Sequence, residues 1–370
     1  MKYFLLAGER SGDLHGANLL RAIQRHDPAA HCQAWGGDDM AAAGAQLLRH
    51  YRDLAFMGIW EVAKNWRTIR GLMAECQQQI LDFQPDVVVF IDYGGFNLRV
   101  AKWAKTEGIR TFFYISPKVW AWNQKRAWRI KRDVDRLFVI FPFEVSFFKK
   151  YDYDVDYVGN PLFDAIAAFR PNPDFRVRFQ LGDRPLIALL PGSRRQEVAG
   201  ILPQMLEAVR HFPQYQFVVA GVSNLPRSLY DGLLAEQSLP VVTDAAYDLL
   251  SHAEAALVTS GTATLETALF GVPQVVCYRT SALTYAVGQL LIKVPFLSLV
   301  NLVAEREVVK ELIQGELNET NLIRELKKIT LEASTRQRQL DAYAEIRAKL
   351  GEVGASERAG KLMVRYLRNG

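Results

Sequence analysis

Cysteine is scarce in this 370-residue chain: Cys32, Cys76 and Cys277 are too few and too widely spaced for a disulfide framework or a metal-thiolate site. They read as buried thiols of a reduced, cytoplasmic protein. The six histidines, His15, His26, His31, His50, His211 and His252, are scattered without metal-ligand spacing, so neither a metal nor another cofactor is expected. A membrane span needs ~20 consecutive apolar residues. The nearest approach, 282–303, is interrupted by Gly288, Lys293, Pro295 and Asn301. Residues 1–8 are too short for a secretory leader and run directly into Glu9-Arg10. The chain is expected not to span a membrane, which leaves it able to lie on one. There is no GxGxxG dinucleotide fingerprint, no GxxxxGK[ST] phosphate loop and no zinc-finger spacing. Against 45 lysines and arginines stand 40 acids, a net charge of +5. That mild excess permits attraction to phosphates or to an anionic surface. Without basic clusters on a recognition fold, no nucleic-acid partner is expected.

What is present is an alternation of short apolar runs with helix-length segments. The runs cover residues 3–7, 87–91, 111–115 and 137–141, then 186–190, 217–220, 241–242, 255–258 and 274–277. Each is β-branched or aromatic and most end near glycine, proline or aspartate, as buried parallel strands do. A proline- and charge-rich stretch, 160–185, separates the two series, and the last ~50 residues have a helical pattern. The expectation is an α/β protein with two Rossmann-like domains, 1–165 and 166–370, facing each other across a cleft, the second ending in C-terminal helices. Ligands of such sheets sit at the carboxyl ends of the strands.

Four loops occupy such positions. Gly8-Glu9-Arg10-Ser11-Gly12-Asp13 opens a helix and offers close ligand approach, or is a plain turn capped by Ser11 or Asp13. Asp92, in Ile91-Asp92-Tyr93-Gly94-Gly95-Phe96-Asn97, either caps a helix or takes a proton from, or holds, a sugar hydroxyl. Pro191-Gly192-Ser193-Arg194 suits a diphosphate, with backbone N–H groups near a helix start and a guanidinium able to bind bidentately. In Ser260-Gly261-Thr262-Ala263-Thr264, small residues join a strand to a helix whose positive end favours an anion. Glu266, just inside that helix, either offsets the helix dipole or accepts ribose hydroxyls. Trp120, Trp122 and Trp128 either stack on a sugar or pack.

Taken in order, GERSGDLHGA (8–17), GGDDMAAAG (36–44), MGIWEV (57–62), IDYGGFN (91–97), ISPKVWAWNQKR (115–126), FPFE (141–144), VGNP (158–161), LPGSRRQEV (190–198), SGTATLE (260–266) and NLVAEREVVKEL (301–312) resemble the lipid-A-disaccharide synthase family, glycosyltransferases of the GT-B fold. The likeness spans nearly the whole chain, and the set is far more specific than any one motif.

The resemblance implies inverting transfer of a sugar from UDP-2,3-diacylglucosamine to 2,3-diacylglucosamine 1-phosphate (lipid X). UDP leaves, and a β-1,6-linked tetraacyl disaccharide 1-phosphate forms without a metal. It implies Asp92 as general base and Arg194 as a catalytic diphosphate contact. Ser193, Ser260, Gly261, Thr262, Glu266 and Asn301 become nucleotide-binding positions, and Glu9, Ser11, Gly12, Asp13 and Asn97 become acceptor-side positions. It further implies a peripheral protein of the Gram-negative inner membrane, and dimers that exchange C-terminal segments. Two departures stand out. The family often carries a second carboxylate where this chain has Gly95, and Gly-His-Pro where it has Gly159-Asn160-Pro161. Residues 54–70 mix Phe56, Met57, Ile59, Trp60 and Trp66 with Lys64, Arg67 and Arg70. That is the pattern of an amphipathic membrane and acyl-chain contact, or of a packed helix with a basic outer face. The rivals are another GT-B enzyme of UDP-sugars, which would release UDP with water-soluble acceptors, and a non-catalytic nucleotide-sugar binding protein, which would bind UDP without turnover.

Overall fold

The computed structural model describes residues 1–54, 66–235, 237–291 and 294–369. They form two compact units, Met1–Ala167 with Leu350–Gly370, and Ala168–Lys349.

The first unit is built on a seven-stranded parallel sheet in the order β3-β2-β1-β4-β5-β6-β7. The strands are β1 (Lys2–Ala7), β2 (His31–Gly36), β3 (Gln46–His50), β4 (Val87–Ile91), β5 (Thr111–Tyr114), β6 (Arg136–Val139) and β7 (Asp156–Tyr157). Every residue of β4 and β5 is buried, which is why these runs are continuously apolar rather than alternating. The chain returns to this sheet at its end. Helix Ala355–Arg368 buries Ala355, Ser356, Ala359, Gly360, Met363 and Val364, the 3–4 spacing of one helical face. Ala359, Met363 and Val364 share a core with Tyr3, Leu5, Leu19 and Ile23. Gly360 lies so close to helix Arg10–His26 that a Cβ there would stand 2.7 Å from the Ala22 Cβ and 3.0 Å from its backbone. The Asp164 carboxylate accepts from the N–H groups of Gly354, Ala355 and Ser356, capping the returning helix.

The second unit has a six-stranded parallel sheet, β10-β9-β8-β11-β12-β13. Its strands are β8 (Leu186–Leu190), β9 (Gln216–Gly221), β10 (Val241–Thr243), β11 (Ala253–Thr259), β12 (Gln274–Tyr278) and β13 (Glu311–Ile313). Side chains alternate across the sheet. Ile187, Leu189, Phe217 and Leu257 enter one core, and Leu186, Ala188, Val218 and Val258 enter the other.

The helical tail pattern is present as Glu319–Leu331, Ala333–Leu350 and Ala355–Arg368. The expected boundary put all of 166–370 in the second unit. Leu350–Gly370 instead cluster with the first, because the apolar stripe of the last helix is completed by β1 and helix Arg10–His26. The stretch expected as a linker contains two helices, Leu162–Ala168 and Phe175–Arg178. Strands β2, β3, β7 and β13, short or half-polar, escaped the apolar-run criterion.

Candidate active site

Each sheet has one place where the strand order reverses direction. In the first unit it lies between β1 and β4, and in the second between β8 and β11. Loops leaving the carboxyl ends of those strands diverge, so a ligand can enter there. All four candidate loops leave those four strands.

In the first unit, β4 ends at Ile91, and Asp92 and Tyr93 follow with φ of 47° and 50°. Two successive non-glycine residues in the left-handed region cost about 1–2 kcal/mol each, and such strain persists only where neighbours hold it. The holders are specific. The Asp92 N–H donates to the Tyr114 carbonyl at 3.0 Å. The Asn97 amide Nδ2 donates to the Asp92 carbonyl at 2.8 Å, with longer approaches to the carbonyls of Leu6 and Ile91. Tyr93 lies across Gly8, where a Cβ would meet its ring at 2.2 Å. Burial, and then the Glu9 carboxylate, push the Tyr93 hydroxyl up to about 12. Gly94 accommodates Pro117, whose Cβ would stand 2.7 Å from an added Cβ. Three motifs, GERSG, IDYGG and ISPK, thus interlock around the Asp92 backbone. Tyr93, not Asp92, occupies the N-cap of helix Gly94–Thr106, which sets aside the capping reading of Asp92.

The other acceptor-side positions divide. Glu9 is the N-cap of helix Arg10–His26 without a side-chain cap bond, and Glu9 and Ser11 are exposed. Gly12 is buried, and a Cβ added there would stand 3.3 Å from the Ala7 Cβ. Asp13 is 2 % exposed and accepts from the N–H groups of Gly37, Asp39 and Met40 at 2.7–3.1 Å. Its carboxylate therefore fixes the turn into helix Asp38–Ala42, and Asn97 clamps carbonyls. Both shape the loops from behind. His15, on the same helix, is held down at about 4 by burial and stays a neutral imidazole.

In the second unit, Gly192 has φ of +114° and Arg194 is the N-cap of helix Arg195–Leu206. Glu197, three residues into the helix, folds back to accept from the N–H groups of Ser193 and Arg194 at 3.2 and 3.3 Å. The loop's donors, expected to be open to a phosphate, are satisfied by its own carboxylate. That leaves the Arg194 side chain, 72 % exposed, as its anion-seeking group, 3.5 Å from Glu197. The Ser260–Thr262 loop differs. Gly261, with φ 156° and ψ −157°, occupies a region essentially restricted to glycine, and no side chain caps helix Thr262–Leu269. Its first N–H groups lack intrahelical partners by geometry. Ser260 Oγ donates to the Leu297 carbonyl at 2.8 Å.

Glu266, one turn on, accepts from Tyr247 Oη at 2.9 Å, and burial raises its pKa. One phenol leaves most of a carboxylate's acceptor positions open. Asn301 is different. Nδ2 donates to Val309 O and Glu311 Oε1, both at 2.9 Å, while Oδ1 accepts from Val308 and Val309 N–H at 2.8 and 3.0 Å. Both side-chain donors and both acceptor positions are used within the unit rather than left open. Asn301 instead joins Ser298 and the buried Glu311 in a network anchoring Leu297, the residue Ser260 holds.

Sequence reasoning missed Glu197, Glu311, Tyr247 and Glu144. Glu144, 1 % exposed, accepts from Trp120 Nε1 at 3.2 Å and from the N–H groups of Ile140 and Phe141, and burial raises it to about 7. A glutamate three residues after the helix entry marks both Glu197 and Glu144 in sequence. Nothing local marks Glu311 or Tyr247. Trp120 is packed edge-on to Phe143, whereas Trp122 and Trp128 are 42 % and 52 % exposed. Phe56, Met57 and Trp60 fall outside the described residues, and Trp66 is the first residue of helix Trp66–Phe83. Among the described residues, no group of His, Cys, Asp and Glu could hold a metal ion, and no helix is long and apolar enough to cross a membrane.

Two Rossmann-like units with loops of this kind define a class, the GT-B glycosyltransferases and their epimerase relatives. A UDP-GlcNAc 2-epimerase from Neisseria meningitidis, solved bound to UDP-GlcNAc, superposes with a TM-score of 0.69 at 15% identity, all of each chain being covered. The glycosyltransferase of kitacinnamycin does so at 0.64 and 14%, covering 98% of both chains. At the level of sequence, a family model described as lipid-A-disaccharide synthetase matches residues 3–363. Relatives named lipid-A-disaccharide synthase include those of Syntrophus aciditrophicus (39% identical, 98% of this chain and 97% of the relative), Myxococcus xanthus (38%, 100% and 98%) and Coxiella burnetii (35%, 97% and 96%). The chain belongs to the lipid-A-disaccharide synthetase family, which makes it a glycosyltransferase of lipid A biosynthesis.

Proposed function

We propose that this chain joins two acylated glucosamines, taking the 2,3-diacylglucosamine unit from UDP-2,3-diacylglucosamine and placing it on the 6-hydroxyl of lipid X with inversion. The observation that carries the reading is the strained, clamped Asp92 at the switch point of the first sheet. The reactive carboxylate is assigned to Asp92. It accepts the acceptor hydroxyl's proton as the C–O bond forms, and needs no unusual pKa because that hydroxyl becomes acidic during attack.

Leaving-group charge develops on the diphosphate of the UDP. The uncapped Ser260–Thr262 helix start and the Arg194 guanidinium are suited to stabilise it. Glu266 is suited to ribose hydroxyls, with Tyr247 fixing one of its oxygens. The UDP-GlcNAc bound by the Neisseria meningitidis epimerase supports a UDP-sugar as donor. The first unit is the acceptor side and the second the nucleotide side in this reading. The same proposal includes contact with the Gram-negative inner membrane, where both lipids reside, and a homodimer exchanging its tails. An exchanged tail would use the surface that helix Ala355–Arg368 covers within this chain.

Turnover of the two lipids by wild type and Asp92→Ala tests the reading. Loss of about 10²–10⁴-fold in turnover with UDP affinity unchanged is expected. Equal turnover would discard Asp92 as base. UDP binding without any wild-type product would return the chain to the rival readings.

A further inference from the structure

Trp122 and Trp128 are large apolar side chains left in water, 42 % and 52 % exposed. Both have a cation over the ring. Arg126 Cζ is 4.7 Å from the Trp122 ring centre, and Lys131 Nζ is 5.5 Å from that of Trp128. Helix Arg126–Asp133 turns Ala127 and Ile130 inward and leaves Trp128, Arg129 and Arg132 outside. It packs beside helix Gly94–Thr106, which carries Arg99, Lys102 and Lys105 and no acid. Across these two segments, 94–106 and 118–133, nine lysines and arginines face one aspartate, a local excess greater than the +5 of the whole chain. That aspartate, Asp133, is already paired with Arg132. The cations crowd each other: burial and then Arg129 and Arg99 lower the Arg126 pKa.

Lys105 is paired with Asp135, just beyond the second segment, and the excess of positive charge that remains attracts a polyanion. Exposed tryptophans add a second requirement. Amphipathic indole rings favour the headgroup level of a bilayer, where an aqueous polyanion would leave them wet. We propose that the face formed by Lys118–Arg132 and helix Gly94–Thr106 is the surface by which the first unit rests on an anionic bilayer, its tryptophans at headgroup depth and its lysines and arginines over lipid phosphates. The assignment rests on the acylated-substrate reading, since water-soluble substrates would give the first unit no reason to meet a membrane. Its residues are separate in sequence from 54–70, the segment marked for this role by sequence.

Each Lys or Arg near an anionic surface strengthens binding about fivefold, and the effect falls off within a Debye length. Sedimentation of the full chain with phosphatidylglycerol-containing vesicles, and with pure phosphatidylcholine, tests the assignment. Lys125→Gln/Arg129→Gln/Arg132→Gln is expected to weaken binding to anionic vesicles roughly a hundredfold. Trp122→Ser/Trp128→Ser is expected to weaken binding and to abolish the blue shift of tryptophan fluorescence on vesicle addition. Turnover of both lipids dispersed in detergent is expected to match wild type in each variant, which separates this assignment from the proposed reaction. Melting temperatures within a few degrees of wild type identify folded variants. Equal binding to neutral vesicles, or wild-type binding by both variants, overturns the proposal. So does loss of binding confined to a Trp60→Ser/Trp66→Ser chain, which would give the role to 54–70.

Discussion

At the scale of single residues, carboxylates turned onto the backbone, some buried and some half-buried, do much of the organising. Asp13, Asp164, Glu197 and Glu311 each accept from backbone N–H groups, and each thereby fixes a loop or a helix start. Glu144 does the same while wholly buried, and its pKa rises from 4.5 to about 7. A carboxyl whose folded pKa is raised favours folding in its protonated form. Its contribution is full below about 4.5 and is lost as pH climbs through about 7. The loss amounts to about 3 kcal/mol at 1.36 kcal/mol per pH unit. Urea unfolding of wild type and Glu144→Gln at pH 5 and pH 8 should show the wild type losing that much more stability between the two. Parallel losses would mean that Glu144 stays ionised throughout.

At the scale of elements, the Asp92 loop shows how a motif is assembled. Gly8 exists for the Tyr93 ring and Gly94 for Pro117, both forced by close approach. Gly95 has no such reason: nothing lies within 4 Å of an added Cβ, and its φ is not positive. The place where the family often carries a second carboxylate is therefore open. Gly95→Ala should stabilise helix Gly94–Thr106 by about 0.5–1 kcal/mol by reducing unfolded-chain entropy. Chemical denaturation measures this, and destabilisation would mean that the loop needs the freedom of glycine. The motif's residues were legible in sequence. Their division into the proposed base and the residues that hold its loop was not. Asp13, Asn97 and Asn301 read in sequence like ligand-binding residues, and only their hydrogen-bond partners show that each side chain holds backbone groups.

At the scale of the whole molecule, the chain closes its first unit with its last helix. Capping by Asp164, the ion pair of Glu357 with Arg25, its hydrogen-bond contact with His26, and the close Gly360–Ala22 approach hold that helix in place. Gly360→Val should push the two helices apart at a cost of about 1–3 kcal/mol. Hydrogen exchange should then quicken in β1 and helix Arg10–His26 while the sheet of the second unit keeps its protection. Uniform quickening in both units would show that the tail stabilises the chain globally.

The sequence by itself determined the class of fold, the two series of parallel strands, the family and the four loops that carry the candidate chemistry. Local apolar runs and glycine spacing encode those features. Tertiary structure alone decided that the tail belongs to the first unit, because an amphipathic stripe specifies a buried face and not its partner. It alone decided that Asn301 is spent on Val308, Val309 and Glu311, because satisfaction of a side chain depends on atoms distant in the chain. It alone showed Trp122 and Trp128 outside while Trp120 lies inside, a difference of facing that periodicity in so short a stretch does not resolve.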